Sequence, residues 1–263
     1  MVLTRKISIA SFFDYNLPIE KQISLASQAG FTHFTFSANY EHCGILDRNE
    51  KALKEVLKNH HLSVDTIHGP TLDKDDAFPI IKRLCTVANE LEVPVMVLHC
   101  SCFAFRQEQY TQRKQDISEK IQKLESISKE TGIRFALENV LPGPATELVK
   151  EMVLCGDPRY IGFCYDSAHD QIDGPNPFTL LEELKDRLFT AHISDRLREF
   201  EDHVIPGEGF IDFTKMCEIL RGSSLNPPLL TEVMMTHSEF KEHQVFLKNA
   251  YEQACELHDR IWG

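Results

Sequence analysis

The chain has 263 residues, with 28 Lys and Arg against 40 Asp and Glu, a net charge of −12 at pH 7, 42% apolar residues and 26% charged ones. These values describe a globular chain long enough for a large core. They disfavour wholesale binding to nucleic acid or to an anionic membrane, although a local basic pocket is compatible with a negative total.

The longest strongly apolar stretch without charge, residues 93–105, falls short of the roughly 18 residues that a membrane span needs. The N-terminal MVLTRKISIASFFDYN lacks the apolar core and the small-residue cleavage pattern of a secretory leader and reads as a first strand. Eight Cys without an evident framework read as reduced thiols, so the expected location is cytoplasmic.

Short β-rich runs alternate with segments of helical period, and no linker or low-complexity tract separates them. In chain order, strand 7–13 is followed by helix 19–29, strand 32–38 by helix 50–59, strand 63–68 by helix 78–91, and strand 94–100 by helix 109–131. The second half continues with strand 134–140 and helix 145–154, strand 160–166 and helix 178–186, strand 188–194 and helix 213–221, and strand 229–234 and helix 239–257. Gly30, Gly132, Gly156 and Gly222 sit just past helical patterns, where a chain ends a helix before turning back. Eight βα units of about 33 residues each predict an α/β protein, a single (β/α)8 barrel domain over residues 1–263. An open dinucleotide-binding sheet is the weaker fit, because it needs a Gly-rich turn after an early strand and the first strand here runs into SFFDYNLP.

Strand side chains alternate between the barrel interior and the helix layer. Phe135 and Leu137 then suit the helices while Ala136 and Glu138 point inward, and Phe163 and Tyr165 alternate with Gly162, Cys164 and Asp166. Phe189 and Ala191 alternate with Thr190 and His192; Leu229, Thr231 and Val233 with Leu230 and Glu232; Thr66, His68, Val97 and His99 also fall in the inward set. Six strands thus end on His68, His99, Glu138, Asp166, His192 and Glu232. The C-terminal strand ends of such a barrel meet at one mouth, where its active sites lie. Three carboxylates gathered there would repel one another unless a cation neutralised them. A divalent metal resolves the conflict, and a mixed carboxylate and imidazole set suits Zn²⁺ or Mn²⁺, with Co²⁺, Fe²⁺ or Mg²⁺ also compatible. No organic cofactor is indicated. His169, one turn past the sixth strand, and Glu201, Asp202 and His203 in the loop after the seventh can reach the same mouth.

Leu137-Glu138-Asn139, Asp166-x-x-His169, His192-Ile-Ser-Asp195, His203-x-x-Pro-Gly-Glu-Gly209 and Thr231-Glu232, with His68-Gly69-Pro70 and Leu98-His99, resemble the xylose-isomerase-like barrels. That superfamily includes endonuclease IV and the sugar and sugar-phosphate isomerases and epimerases. The resemblance implies that Glu138, Asp166, His192 and Glu232 hold one divalent metal. It further implies that His68 and His99 serve a second metal, and that His169, Glu201 and His203 serve a third. Glu201 stands where the endonuclease pattern has Asp, and Asp202 is out of register.

Two activities follow from the resemblance. As an isomerase or epimerase, the protein would use Glu138 and Glu232 as the acid/base pair that moves a proton on a ketose or aldose through a metal-stabilised enediolate, with His169 and Arg198 contacting substrate oxygens. As a phosphodiesterase on abasic-site DNA, it would use the same ligands to activate water. DNA binding needs phosphate-contacting cations, and Arg106, Arg113, Lys114, Arg196 and Arg198 are sparse near strand ends, so a small polyol, sugar or sugar phosphate is the expected partner. A homo-oligomer is compatible with the sequence. Cys100 and Cys102 read as structural thiols, and Phe12, Phe13, Phe103 and Phe105 as pocket wall or rim packing.

Overall fold

The computed structural model describes residues 5–38 and 43–263. Its strands are β1 (Ile7–Ala10), β2 (His33–Ser37), β3 (Ser63–His68), β4 (Val95–His99), β5 (Arg134–Glu138), β6 (Ile161–Asp166), β7 (Leu188–Ile193) and β8 (Leu229–Thr231). They pair in sequence order, all parallel, and β8 closes on β1 through Ile7–Leu229 and Ile9–Thr231. The helices between them are α1 (Ile19–Ala29), α2 (Glu50–Asn59), α3 (Ala77–Leu91), α4 (Tyr110–Thr131), α5 (Pro144–Cys155), α6 (Thr179–Leu184), α7 (Phe213–Arg221) and α8 (His243–Trp262). The architecture is the expected (β/α)8 barrel. Among the described residues, no helix is long and apolar enough to cross a membrane.

The period-2 alternation explains where the core sits. Phe135, Leu137, Phe163 and Tyr165 belong to the large apolar layer between barrel and helices, while Val95, Val97, Ala136 and Cys164 form a small cluster inside the barrel. Gly30 and Gly132 end α1 and α4 at φ 105° and 79°, a backbone region that L side chains adopt only at a cost.

Three expectations needed correction. Phe189 packs against the interior cluster, not the helices. The register between β6 and β7 steps from Phe163–Leu188 to Cys164–Thr190, so Phe189 is an extra, bulged residue whose ring occupies the space above Gly162, where a Cβ would lie 2.4 Å from it. The last helix starts at His243, four residues after the expected 239, because the Glu208 carboxylate takes the Ser238 hydroxyl at 2.8 Å and the Glu239 N–H at 2.6 Å and holds that segment as a loop. Strand β8 ends at Thr231, since the Met234 N–H turns to the His203 carbonyl at 2.7 Å.

A second bulge, in β3, adds Asp65 at the opposite end of the barrel from the mouth. Its Oδ1 accepts from the Ser8 and Thr35 hydroxyls, both at 2.7 Å, yet burial holds its carboxyl above the usual range against those bonds. A raised folded-state value contributes stability below the unfolded value and loses it as pH rises through the folded one. Asp65→Asn keeps an acceptor for both hydroxyls. Its melting temperature relative to wild type is therefore expected to increase between pH 4 and pH 7; an advantage that shrinks over that interval would contradict this account.

Candidate metal centre

The C-terminal ends of β3 to β7 and the residue just past β8 bring His68, His99, Glu138, Asp166, His192 and Glu232 into one buried cluster, each no more than 7% exposed. Donor atoms of Glu138, Asp166, His192 and Glu232 all lie within 4.8 Å of one another, as do those of His68, His99 and Glu138, and those of Asp166, His169 and His203. Cys164, two residues before Asp166, makes a further group of this kind with Glu138 and His192, and burial pushes its thiol up to about 12.

Glu138 is the hub. Its Oε2 lies 2.9 Å from His68 Nε2 and 3.3 Å from His99 Nε2, and its Oε1 lies 3.3 Å from His192 Nδ1. Burial opposes its charge, but His192, His99 and His68 outweigh that and hold the carboxyl well below its ordinary value. Burial pushes Asp166 up to about 6, with Glu232 and Glu138 adding to the shift, while His169 and His203 pull the other way. Burial also lowers His203 to about 4 and lowers His99, so both imidazoles are neutral and have a lone pair to offer.

Whether these donors fit a metal can be judged from where they point. His192 Nδ1 and Glu232 Oε2 are 2.6 Å apart, yet neither makes a hydrogen bond. Asp166 Oδ2 and His169 Nε2 are also buried without a hydrogen-bond partner. Unsatisfied buried polar atoms are rare, and each costs about 1–3 kcal/mol. Several in one place, with a mixed O and N donor set, fit a divalent cation.

The loops fix these side chains. Asn139, just past β5, bonds both backbone groups of Asp166, donating to its carbonyl at 2.9 Å and accepting from its N–H at 2.8 Å. Asp166 Oδ1 then takes the N–H groups of Ala168 and His169 at 2.7 and 3.0 Å, which leaves Oδ2 for the centre. His203 has a left-handed φ of 43° and its Nδ1 lies 3.0 Å from the Ser194 hydroxyl.

His68, His99, Glu138, His169, His203 and Glu232 line a cavity of about 300 Å³ with Phe12, Tyr15, Ser37, Thr71, Lys74, Phe103, Glu201 and Met234, while Asp166 and His192 lie behind it. Glu201 stands at its rim, exposed, outside the Asp166–His169–His203 group. Asp202 is turned away, its Oδ2 accepting the N–H groups of Leu197, Arg198 and Glu199. Arg198 is exposed and does not line the cavity. The lining cation is Lys74, from the loop after β3, which the sequence reading did not single out; nothing local marks it. Phe12 and Phe103 form wall, whereas Phe13 packs on Phe246 and Phe105 on Tyr110. Of the other basic residues, Arg113 pairs with Asp73 at 3.0 Å, Lys114 pairs with Glu151 at 2.9 Å, and Arg196 is fully buried. No disulfide joins the described cysteines; Cys100 is buried and Cys102 exposed.

The family model described as xylose isomerase-like TIM barrel matches residues 23–250. Among solved structures, the IolI protein with a bound zinc atom is 18% identical with a TM-score of 0.81, covering 98% of this chain and 99% of that one. A D-tagatose 3-epimerase-like protein is 18% identical with a TM-score of 0.76, covering 97% and 98%. An AP endonuclease, family 2, from Brucella melitensis is 16% identical with a TM-score of 0.70, covering 92% and 96%. At these identities the likeness is one of fold.

Proposed function

The chain belongs to the xylose isomerase-like TIM barrel family, and on that premise we propose that it is a divalent-metal-dependent isomerase or epimerase of a small polyol, sugar or sugar phosphate. The observation that carries this reading is the position of the buried His192 Nδ1, 3.3 Å from Glu138 Oε1 and 2.6 Å from Glu232 Oε2, two carboxylates that both line a small cavity. Two carboxylates therefore flank a single buried point from β5 and β8.

Glu138, Asp166, His192 and Glu232 would hold the metal, which when bound supplies Lewis-acid polarisation of a substrate carbonyl. The remaining work belongs to the chain. Glu232, at the edge of the cluster with a side chain 7% exposed, takes the proton from the carbon next to the carbonyl; Glu138, on the other flank, returns one. Phe12 and Phe103 exclude water from the cavity, and His169 contributes to orienting substrate oxygens. Lys74 at the rim suits a substrate with an anionic or strongly polar end. Zinc is the first choice of metal, in keeping with the bound zinc atom of IolI, and manganese the second.

Cavity size weighs against the phosphodiesterase alternative. A volume of about 300 Å³ lies at the small end of the range for small-molecule sites. Duplex DNA needs a broad cationic surface, whereas Arg113 and Lys114 are paired and Arg196 is buried. The test is solvent deuterium exchange into a panel of ketoses, aldoses and their phosphates, run beside cleavage of an abasic-site duplex. Exchange that stops with EDTA and returns with Zn²⁺ or Mn²⁺ is the expected result. Robust nicking with no exchange would replace this reading by the alternative.

A further inference from the structure

The largest fully buried side chain of the described residues is a cation, Arg196, 1% exposed, in the loop that follows β7. Its nearest carboxylate, Asp173 Oδ1, is 3.5 Å away on a side chain that is itself 58% exposed, and its Nε has no partner. Burying a guanidinium costs several kcal/mol, which its contacts with backbone carbonyls, with Phe200 and Phe210, and with the charges of Asp170 and Asp173 must offset. Packing alone therefore does not account for an arginine here.

Its contacts have a single focus. Nη1 donates to the carbonyls of Ala168 at 3.0 Å and Asp170 at 3.2 Å, the residues on either side of His169. From the other direction, Asp166 Oδ1 holds the N–H groups of Ala168 and His169. The backbone of His169 is thus clamped between Asp166 and the guanidinium.

The backbone of the same residue, with the Asp195 carboxylate, ties down the loop that carries His203, and the guanidinium meets that loop through two aromatic rings. The Arg196 N–H donates to Asp195 Oδ1 at 2.8 Å, and its carbonyl accepts from the Phe210 N–H at 3.2 Å. The Asp195 carboxylate also gathers the N–H groups of Gly207, Gly209 and Ile211 at 2.9, 2.9 and 3.1 Å. Asp195 and Val204 exchange backbone hydrogen bonds at 2.8 and 3.0 Å, which fixes the residue next to His203. Phe200 and Phe210 cover the guanidinium at 4.2 and 5.1 Å. One planar group spans both loops, and the imidazoles of His169 and His203 meet with ring centroids 5.2 Å apart.

We propose that Arg196 is a positioning residue that sets His169 and His203 against Asp166, and thereby sets the affinity of that three-residue group for a divalent ion. This rests on the reading of the mouth as a metal centre. Residues that orient ligands without touching the metal typically contribute 10- to 100-fold in metal affinity.

The test uses full-length protein stripped of metal and titrated with Co²⁺, followed by its visible absorption spectrum, for wild type, His203→Ala, Arg196→Met and Arg196→Lys. The equivalent lost in His203→Ala identifies the Asp166–His169–His203 group. Arg196→Met keeps a chain between the two phenylalanines but has no donors. It is expected to bind that equivalent about 10- to 100-fold more weakly, with an altered spectrum, and to hold the equivalent that needs His192 as wild type does. Arg196→Lys, whose ammonium lacks the planar fork, is expected to fall between; if Arg196→Met fails to fold, Arg196→Lys decides alone.

A wild-type isotherm and spectrum in a folded Arg196 variant would overturn the proposal and leave the proposed function standing. So would a wild-type protein whose metal binding is unaffected by His203→Ala. Wild-type protein that binds no divalent ion at all would overturn both.

Discussion

Glu138→Ala is expected to lose the divalent ion that needs His192 and, with it, turnover. Glu138 belongs to three of the four donor groups at the mouth, and its two oxygens face His68 and His99 on one side and His192 on the other. No other described carboxylate touches all three imidazoles. Its removal also leaves His68, His99 and His192 without the charge that offsets their burial, so the apoprotein itself should be less stable. Metal analysis of purified wild type and variant checks the first point. Thermal unfolding of both proteins in EDTA checks the second; without EDTA, wild type should gain about 2.7 kcal/mol from an ion at 100 times Kd, and the variant should gain less. A Glu138→Ala protein with wild-type metal content would remove Glu138 from the centre.

Glu232→Gln is expected to separate metal binding from proton transfer. The substitution keeps the shape and one oxygen, so metal content should fall less than in Glu138→Ala. What disappears is the carboxylate that accepts the proton. General base catalysis is commonly worth about 10²- to 10⁴-fold, so kcat and the rate of solvent deuterium exchange should fall together by that order with KM little changed. A large rise in KM with kcat preserved would assign Glu232 to substrate binding instead. Together the two variants distinguish the residue that assembles the centre from the one that uses it.

The six strand-end ligand candidates were legible in the sequence because a parallel barrel sends every strand's C-terminal end to the same mouth. With a side-chain period of two, a charged residue at the end of a strand whose other inward positions are small or apolar has one place to go. His68, His99, Glu138, Asp166, His192 and Glu232 all followed that rule. Phe189 broke it, because a bulge inserts one residue and resets the alternation, and the room for its ring comes from Gly162 on the neighbouring strand.

The loops follow no such rule. Glu201 and Asp202 are adjacent and chemically alike, yet one lines the cavity and the other caps the N–H groups of residues 197–199. Arg198 had the expected spacing from His192 but faces solvent, while Lys74, at no marked position, lines the cavity. Arg196 was one of the few cations near strand ends that could have met a phosphate, but the structure buries it against Phe200 and Phe210, bonded to the loop that carries His169.

By itself, then, the sequence determined the number of βα units, made a closed barrel the better fit than an open sheet, and singled out the six side chains that meet at the strand ends. The units and the strand-end side chains depend on local periodicity, which sets a strand's inward face wherever no bulge intervenes. Only the tertiary structure decided which loop side chains reach the mouth, how the unsatisfied lone pairs are aimed, and where the buried arginine sits. Those outcomes depend on hydrogen bonds between segments far apart in the chain, such as Asn139 with Asp166 and Arg196 with Ala168, and no local pattern encodes them.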